Sequence, residues 1–337
     1  MKSFYDCSFF EEQLQETQRF EVIQNEIKLK NQLSDTKHLF VSEEIKYECI
    51  FFKVDKFDYH KPTIIICIKD DLELITVTHN NLKIHNALDF ANLLVVDDRP
   101  SNNRIEQFAK DSGINYLSVN NSKGFNFSML NNIASKLLYS IGNETVIFWN
   151  SDLWVPDSET LPRLVDKHKQ HNSKLSGTKL IYPPQKFSIN GSIDTENIKL
   201  YFPHMVGGKW RETIQFGGVS LRNLEPYHAY RFKSPDDPRV NFDGGCNMIT
   251  GAFHIWDLET FIAVGGFNPS LSKNYQDNDI SLRLVEKGII PMYFGKNTFL
   301  YHDESPSLIK QGKQDQQIYS DHILFHKIWD KKLLSLL

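Results

Sequence analysis

An α/β protein with a mostly parallel central sheet flanked by helices is what this sequence predicts, and three observations predict it. From Lys61 onward, strand-like and helix-like stretches alternate four times. The strand-like stretches, such as TIIICI (63–68) and LLVV inside ANLLVVDD (91–98), are continuously apolar, the mark of a sheet covered on both faces. Three of them end in acids or amides: Lys69-Asp70-Asp71, Asp97-Asp98 and Asn150-Ser151-Asp152. That is the edge beyond which parallel sheets bind their ligands.

The elements follow in order. Residues 1–60 are polar and helix-leaning, with Phe10, Leu14, Phe20, Ile23 and Ile27 in partial helical spacing, and predict an N-terminal helical extension packed on the main domain. TIIICI is the first strand, and KDDLELITVTHNNLKIHNAL (69–88) the first helix. ANLLVVDD, INYLSVNN (114–121) and ETVIFWNSD (144–152) are the next strands, separated by helices at SNNRIEQFAKDSG and FSMLNNIASKLLYSIG. After LPRLVDKHKQH, another helix, the rhythm breaks. Residues 176–247 mix Gly, Pro and aromatics and predict strands with long loops, where specificity usually resides. GGCNMITGAFHIW (244–256) reads as one strand, DLETFIAVGGF as a helix and glycine turn, and ISLRLVEKG as a short helix stopped by Gly288. PMYFGKNTFLYHDES (291–305) supplies a final strand ending in His302. In the C-terminal helix Phe325, Trp329, Leu333 and Leu336 share a stripe, with Lys327, Lys331 and Lys332 mostly off it. Such a helix either packs on its own domain or lies as a peripheral contact on an anionic membrane.

Composition narrows the function. A net charge of −4 over 337 residues gives no nucleic-acid footprint. Cys7, Cys49, Cys67 and Cys246 form no CxxC pair, and Cys67 lies within an apolar run, so neither a zinc site nor a disulfide framework is expected. The N-terminus carries acids where a signal peptide needs an apolar stretch, and no run is long enough to span a bilayer. A cytoplasmic protein is the expectation. No GxxxxGK[ST] loop is present, and no GxGxxG follows the first strand, which argues against P-loop and dinucleotide sites.

The chemistry rests on acids and one histidine. Asp152 at a strand end can hold Mg²⁺ or Mn²⁺, with His302 at another strand end as second ligand, although a lone His is more often structural. Asp97 and Asp98 can accept bonds from a ribose or base, or simply form a turn. In NYQDNDISLRL, Asp277 and Asp279 cannot aim at one target from a regular element. A turn opening a helix lets Asp277 face a cleft while Asp279 caps the helix N–H groups.

Taken in order, IIICIKDDLEL, LLVVDD, KGFNFSMLNN, VIFWNSDLWV, TGAFHIWDLETFIAVGGFNPSL, YQDNDISLRLVEKG and YHDES resemble the family 2 glycosyltransferases of the GT-A fold, especially bacterial enzymes of O-antigen and capsule synthesis. The resemblance implies a GT-A domain over 61–305, with a nucleotide-binding half (61–152) and an acceptor-binding half (153–305), between an accessory segment (1–60) and a helical tail (306–337). It implies that Asp70, Asp97 and Asp98 line the nucleotide pocket, that Asn126 lies near the nucleotide or sugar, and that Asn150-Ser151-Asp152 replaces the family's DxD motif. Asp277 matches the catalytic base and His302 the late metal- or diphosphate-contacting His. The implied cofactor is Mn²⁺ or Mg²⁺. The implied partners are a UDP- or dTDP-linked sugar and a glycan or lipid-linked glycan acceptor. The sequence departs from the pattern at Asn150, at Gln276 for the usual Glu, at Cys67 for Pro, and at Asp303 where a second His is frequent. Gln276 and Trp210 are assigned to the acceptor side, with Tyr227, His228 and Tyr230 as further stacking candidates.

An inverting glycosyltransferase is therefore expected, with Asp277 deprotonating the acceptor and a cation on Asp152 and His302 stabilising the departing diphosphate. A nucleotidyltransferase needs a basic phosphate clamp that KDDLEL does not offer. A glycosidase needs two facing carboxylates and leaves the nucleotide-side residues unexplained. A degenerate relative that only binds a glycan or partner is the remaining alternative, motivated by Asn150 and Gln276.

Overall fold

The computed structural model describes residues 57–98, 100–121, 124–184, 189–192, 212–303 and 316–336, and the backbone of 35–41 and 45–52. In chain order the strands are β1 (Asp35–Val41), β2 (Ile45–Phe52), β3 (Thr63–Ile68), β4 (Asn92–Asp98), β5 (Asn115–Asn121), β6 (Thr145–Trp149), β7 (Leu153–Trp154), β8 (Leu175–Ile181), β9 (Ile214–Phe216), β10 (Val219–Arg222), β11 (Glu225–His228), β12 (Asp243–Gly245), β13 (Phe253–Asp257) and β14 (Met292–His302). The helices are α1 (Leu72–Ile84), α2 (Ala87–Phe90), α3 (Arg104–Ser112), α4 (Phe127–Ser140), α5 (Thr160–Gln170), α6 (Leu258–Ala263), α7 (Gln276–Glu286) and α8 (Gln316–Leu336).

One sheet runs in the order β1-β2-β5-β4-β3-β6-β13-β8-β14-β12, with β7 added on β14 and β9 on β8; β10 and β11 form a separate hairpin. Its centre, β5-β4-β3-β6, is parallel. Ile64, Ile65, Ile66, Leu94, Val95 and Val96 are fully buried there, as the continuous apolar runs require. β13 enters antiparallel between β6 and β8 and turns the second half of the sheet around, so that β14 runs parallel to β8. Three of the helices begin on side-chain caps. Asp71 accepts from the Leu74 amide at 3.1 Å, Asn126 from Met129 at 2.9 Å and Asp257 from Thr260 at 2.9 Å.

Three expectations change. The helical spacing over Phe10–Ile27 lies outside the described residues, but the later part of the N-terminal segment is strand. β1 and β2 pair with each other, and β2 extends the sheet beside β5. The alternation of Ile45, Tyr47 and Cys49 with Lys46 and Glu48 is a period-two signal that the upstream helical spacing obscures. The first helix stops at Ile84 because Asn86 turns left-handed (φ 56°). The stretch 244–256 is two strands, not one, broken by a turn around Thr250 and Gly251 that proves to hold Asp277.

The stripe of α8 faces inward. Phe325, Trp329 and Leu333 are fully buried and pack with Met248, Leu271, Tyr275 and Leu282. These side chains are covered by the chain itself and are not available to a lipid surface. Among the described residues, no helix is long and apolar enough to cross a membrane.

Candidate functional site

The carboxyl edge of the parallel strands gathers the acids that the sequence places there. Asp97 pairs across with Ile68 and with Ser118, so it sits mid-edge. Its Oδ2 accepts from the Tyr116 hydroxyl at 3.0 Å, while its buried Oδ1 has no hydrogen-bond partner. Burial pushes its pKa up to about 6, against the opposing Tyr116 bond. Asp70 lies just past β3 in left-handed conformation (φ 54°) and accepts from the Ser101 amide at 3.0 Å and the Ser101 hydroxyl at 2.9 Å. The Ser101 amide holds its pKa below the usual carboxylate range. Asp98 is fully buried at the end of β4.

Asp152 and His302 meet although 150 positions separate them. The Asn150 carbonyl closes a turn on the Leu153 amide at 3.1 Å, which carries the chain from β6 into β7. β7 pairs with the end of β14, Leu153 opposite His302, and the Asp303 amide donates to the Asp152 carbonyl at 3.1 Å. His302 Nε2 therefore lies 3.4 Å from Asp152 Oδ1, with both side chains buried. Neither ring nitrogen of His302 has a hydrogen-bond partner. A buried imidazole so placed beside a carboxylate fits a divalent cation, whose bonds of about 2.1 Å let atoms 3.4 Å apart share one ion. Asp303, 2% exposed, places a further acid directly after this pair.

Asp277 reaches the same edge by another route. The Asn150 amide donates to the Ala252 carbonyl at 3.0 Å, and the adjacent Gly251 amide donates to Asp277 Oδ2 at 2.6 Å. The Asn278 amide donates to Oδ1 at 2.9 Å. A Cβ on Gly251 would come within 3.2 Å of the Asp277 Cβ, so glycine is what lets the acid dock against the break between β12 and β13. Asp277 stays partly exposed, yet enclosure by the protein raises its pKa despite both backbone donors. Gln276 beside it is buried, and its Oε1 has no hydrogen-bond partner.

Asp279 does not cap the helix. The N-cap position is Tyr275, left-handed at φ 61° and without a side-chain cap bond. Asp279 lies one turn in, where Oδ2 accepts from Arg283 Nε at 2.9 Å and Oδ1 from Trp329 Nε1 at 2.9 Å. Arg283 continues to the carbonyls of Val264 and Gly266. Asp279 thus braces α7 against α8 and the glycine turn. Gly288 does end the helix, left-handed at φ 74°.

Asn126 is occupied structurally. Its Oδ1 caps α4, and its Nδ2 donates to the Pro269 carbonyl at 2.8 Å. Trp210 lies outside the described residues. Tyr227 is exposed, His228 is 3.1 Å from Gln215 through Nδ1, and Arg239 stacks over Tyr230 at 4.7 Å. Sequence reasoning missed Glu225, His322 and His326, which converge beside Tyr275. The i, i+4 histidines of α8 were visible, but nothing local pairs them with Glu225.

No family model matches this sequence, and neither does any curated protein sequence. Solved structures resemble it in fold. The crystal structure of GalNAc-T7 with UDP, GalNAc and Mn²⁺ superposes with a TM-score of 0.55 at 12% identity, over 81% of this chain and 48% of that one. The chain thus spans about half the length of that relative. The S. aureus TarS 1-349 structure in complex with UDP-GlcNAc aligns at a TM-score of 0.49 and 13% identity, over 80% of this chain and 66% of that one. The fold is that of the GT-A glycosyltransferases.

Proposed function

We propose that this protein is an inverting glycosyltransferase of bacterial surface polysaccharide synthesis, of the family 2 type. It moves a sugar from a UDP- or dTDP-linked donor to a hydroxyl of a glycan or lipid-linked glycan. The observation that carries the proposal is the convergence of Asp152 with His302 at 3.4 Å while Asp277 is tied, through Gly251 and Ala252, to Asn150 of the same turn. The GT-A fold and the UDP, GalNAc and Mn²⁺ bound by the GalNAc-T7 structure support it.

In this mechanism Asp97 Oδ1, buried and unbonded, receives an N–H or O–H of the nucleoside, and Asp70 and Asp98 complete that wall. Asn150 lies beside the diphosphate. Asp152 and His302 would hold a Mn²⁺ or Mg²⁺ ion, which would supply positive charge opposite the departing diphosphate. Asp277 keeps its orientation through the Gly251 and Asn278 amides, and takes the acceptor proton on a lone pair those bonds leave open. Its raised pKa makes it a better base than an exposed carboxylate. Attack opposite the leaving group inverts the anomeric centre. Gln276, beside the base, faces the acceptor. The free thiols of Cys67 and Cys246 support a cytoplasmic site for the reaction.

The test is a screen of UDP-, dTDP-, GDP- and CMP-sugars for metal-dependent turnover, with product anomeric configuration read by NMR. One donor is expected to turn over with inversion, and Asp277→Asn to bind that donor without turning it over. Binding of a glycan with no turnover of any donor would instead favour a degenerate binding protein.

A further inference from the structure

We propose that Glu225, His322 and His326 form a second metal site, selective for Zn²⁺, that clamps the C-terminal helix to the helix start carrying Asp277. It shares no residue with Asp152 and His302, and stands whether or not the chain transfers sugar.

One donor atom from each of the three side chains lies within 4.8 Å of the others. His322 and His326, one turn apart on α8, project from the same face. His326 Nε2 is 2.6 Å and His322 Nδ1 is 3.5 Å from the same Glu225 oxygen, Oε2. Tetrahedral Zn²⁺ with bonds near 2.05 Å sets its ligand atoms about 3.3 Å apart. His322 already stands at that spacing, and His326 has only to draw back.

The cluster stabilises positive charge. Both nitrogens of His326 face carboxylates, Nε2 towards Glu225 and Nδ1 towards Asp330 Oδ1 at 2.7 Å. A doubly protonated ring donates to both, and a neutral ring keeps one N–H for Asp330 and turns a lone pair towards Glu225. A metal ion on Nε2 takes the place of the second proton between the ring and Glu225. A carboxylate behind a ligating imidazole is the usual outer partner of a bound metal. Two imidazoles and one carboxylate suit Zn²⁺, and leave a fourth coordination position. The side chains of Glu225 and His322 are 40% and 41% exposed, so the ion enters from solvent.

The site is linked to the catalytic helix by one residue. The Tyr275 hydroxyl donates to Glu225 Oε1 at 2.5 Å and lies 2.9 Å from His322 Nδ1. Tyr275 is the left-handed residue immediately before Gln276 and Asp277. Ordering Glu225 and His322 around Zn²⁺ therefore fixes the turn that aims Asp277. In that role the cluster positions the base without touching substrate.

Equilibrium dialysis of the whole chain against Zn²⁺, with Co²⁺ absorption as a second readout, tests this. The wild type and Asp152→Ala are expected to bind Zn²⁺ at this site, give the intense visible bands of four-coordinate Co²⁺, and melt at higher temperature with Zn²⁺. Asp152→Ala/His326→Gln is expected to melt like metal-free Asp152→Ala, lose the Co²⁺ bands and gain no Tm from Zn²⁺. Asp330→Asn in the Asp152→Ala background is expected to weaken Zn²⁺ binding by about 10–100-fold. An Asp152→Ala variant without Co²⁺ bands or Zn²⁺-dependent Tm, or an Asp152→Ala/His326→Gln variant that keeps both, overturns the proposal.

Discussion

The two groups of acids at the sheet edge are built in opposite ways. Asp70, Asp97 and Asp98, proposed for the nucleotide, follow directly from the strands that precede them, and neighbouring parallel strands align their ends. Asp277, the proposed base, depends on pieces distant in the chain. Gly251 holds its carboxylate, Asp279 braces its helix through Arg283 and Trp329, and Tyr275 anchors its turn to Glu225 and His322. Local pattern fixes where an acid sits on a sheet edge; how a base is aimed from a helix start takes tertiary contacts.

If this contrast holds, variants in the two groups fail differently. The largest effect belongs to Asp277→Asn, which keeps the shape and removes the base. Turnover should fall on the order of 10²–10⁴-fold with donor affinity retained, measured by steady-state kinetics and calorimetry. Arg283→Met comes next. It leaves Asp279 buried without its counter-charge, and two carbonyls without their donor, at a cost of about 3–5 kcal/mol in denaturant unfolding. A collapse around Asp277 that leaves nucleotide binding intact would sharpen the contrast; equal loss in both groups would break it.

Asp97 gives a pH signature in the group proposed for the nucleotide. Its folded pKa of about 6 lies above the ordinary 3.8, so the folded state holds the proton more tightly. The contribution to stability is fully present below pH 3.8 and lost as pH rises through about 6, a span worth about 3 kcal/mol at most. Asp97→Asn should flatten that part of the stability profile, raise stability at neutral pH and weaken donor binding. A profile unchanged by the substitution would show that Asp97 ionises as freely in the folded chain as in the unfolded one. The smallest effect is Asn126→Ala, about 1 kcal/mol for a lost helix cap, with little change in donor affinity. A large affinity loss there would return Asn126 to the nucleotide pocket.

What the sequence disclosed follows the same division. The parallel centre and the acids at its edge were legible because strand ends carry them, whereas an Asp and a His 150 positions apart are a weak signal alone, and their pairing came from the family resemblance. The break at Gly251 was not, since GGCNMITGAFHIW is apolar enough to read as one strand, and only the Asp277 carboxylate explains the interruption. Asp279 looked like a cap because acids favour helix starts, but the left-handed Tyr275 moves the start forward and turns that acid towards Arg283 and Trp329. The strands at 35–52 were hidden behind a helical spacing upstream, and the Glu225–His322–His326 cluster joins residues about 100 positions apart.

The central claim is that Asp152 and His302 share one cation that the donor diphosphate needs. Calorimetric titration of the donor nucleotide, with and without Mn²⁺, into wild type, Asp152→Ala, His302→Ala and the double variant tests it most directly. The account predicts Mn²⁺-dependent binding in the wild type, loss of that dependence in either single variant, and no further loss in the double variant, because the two ligands act as a unit. Binding equally tight without Mn²⁺, or Mn²⁺-dependence that survives both substitutions, would contradict it.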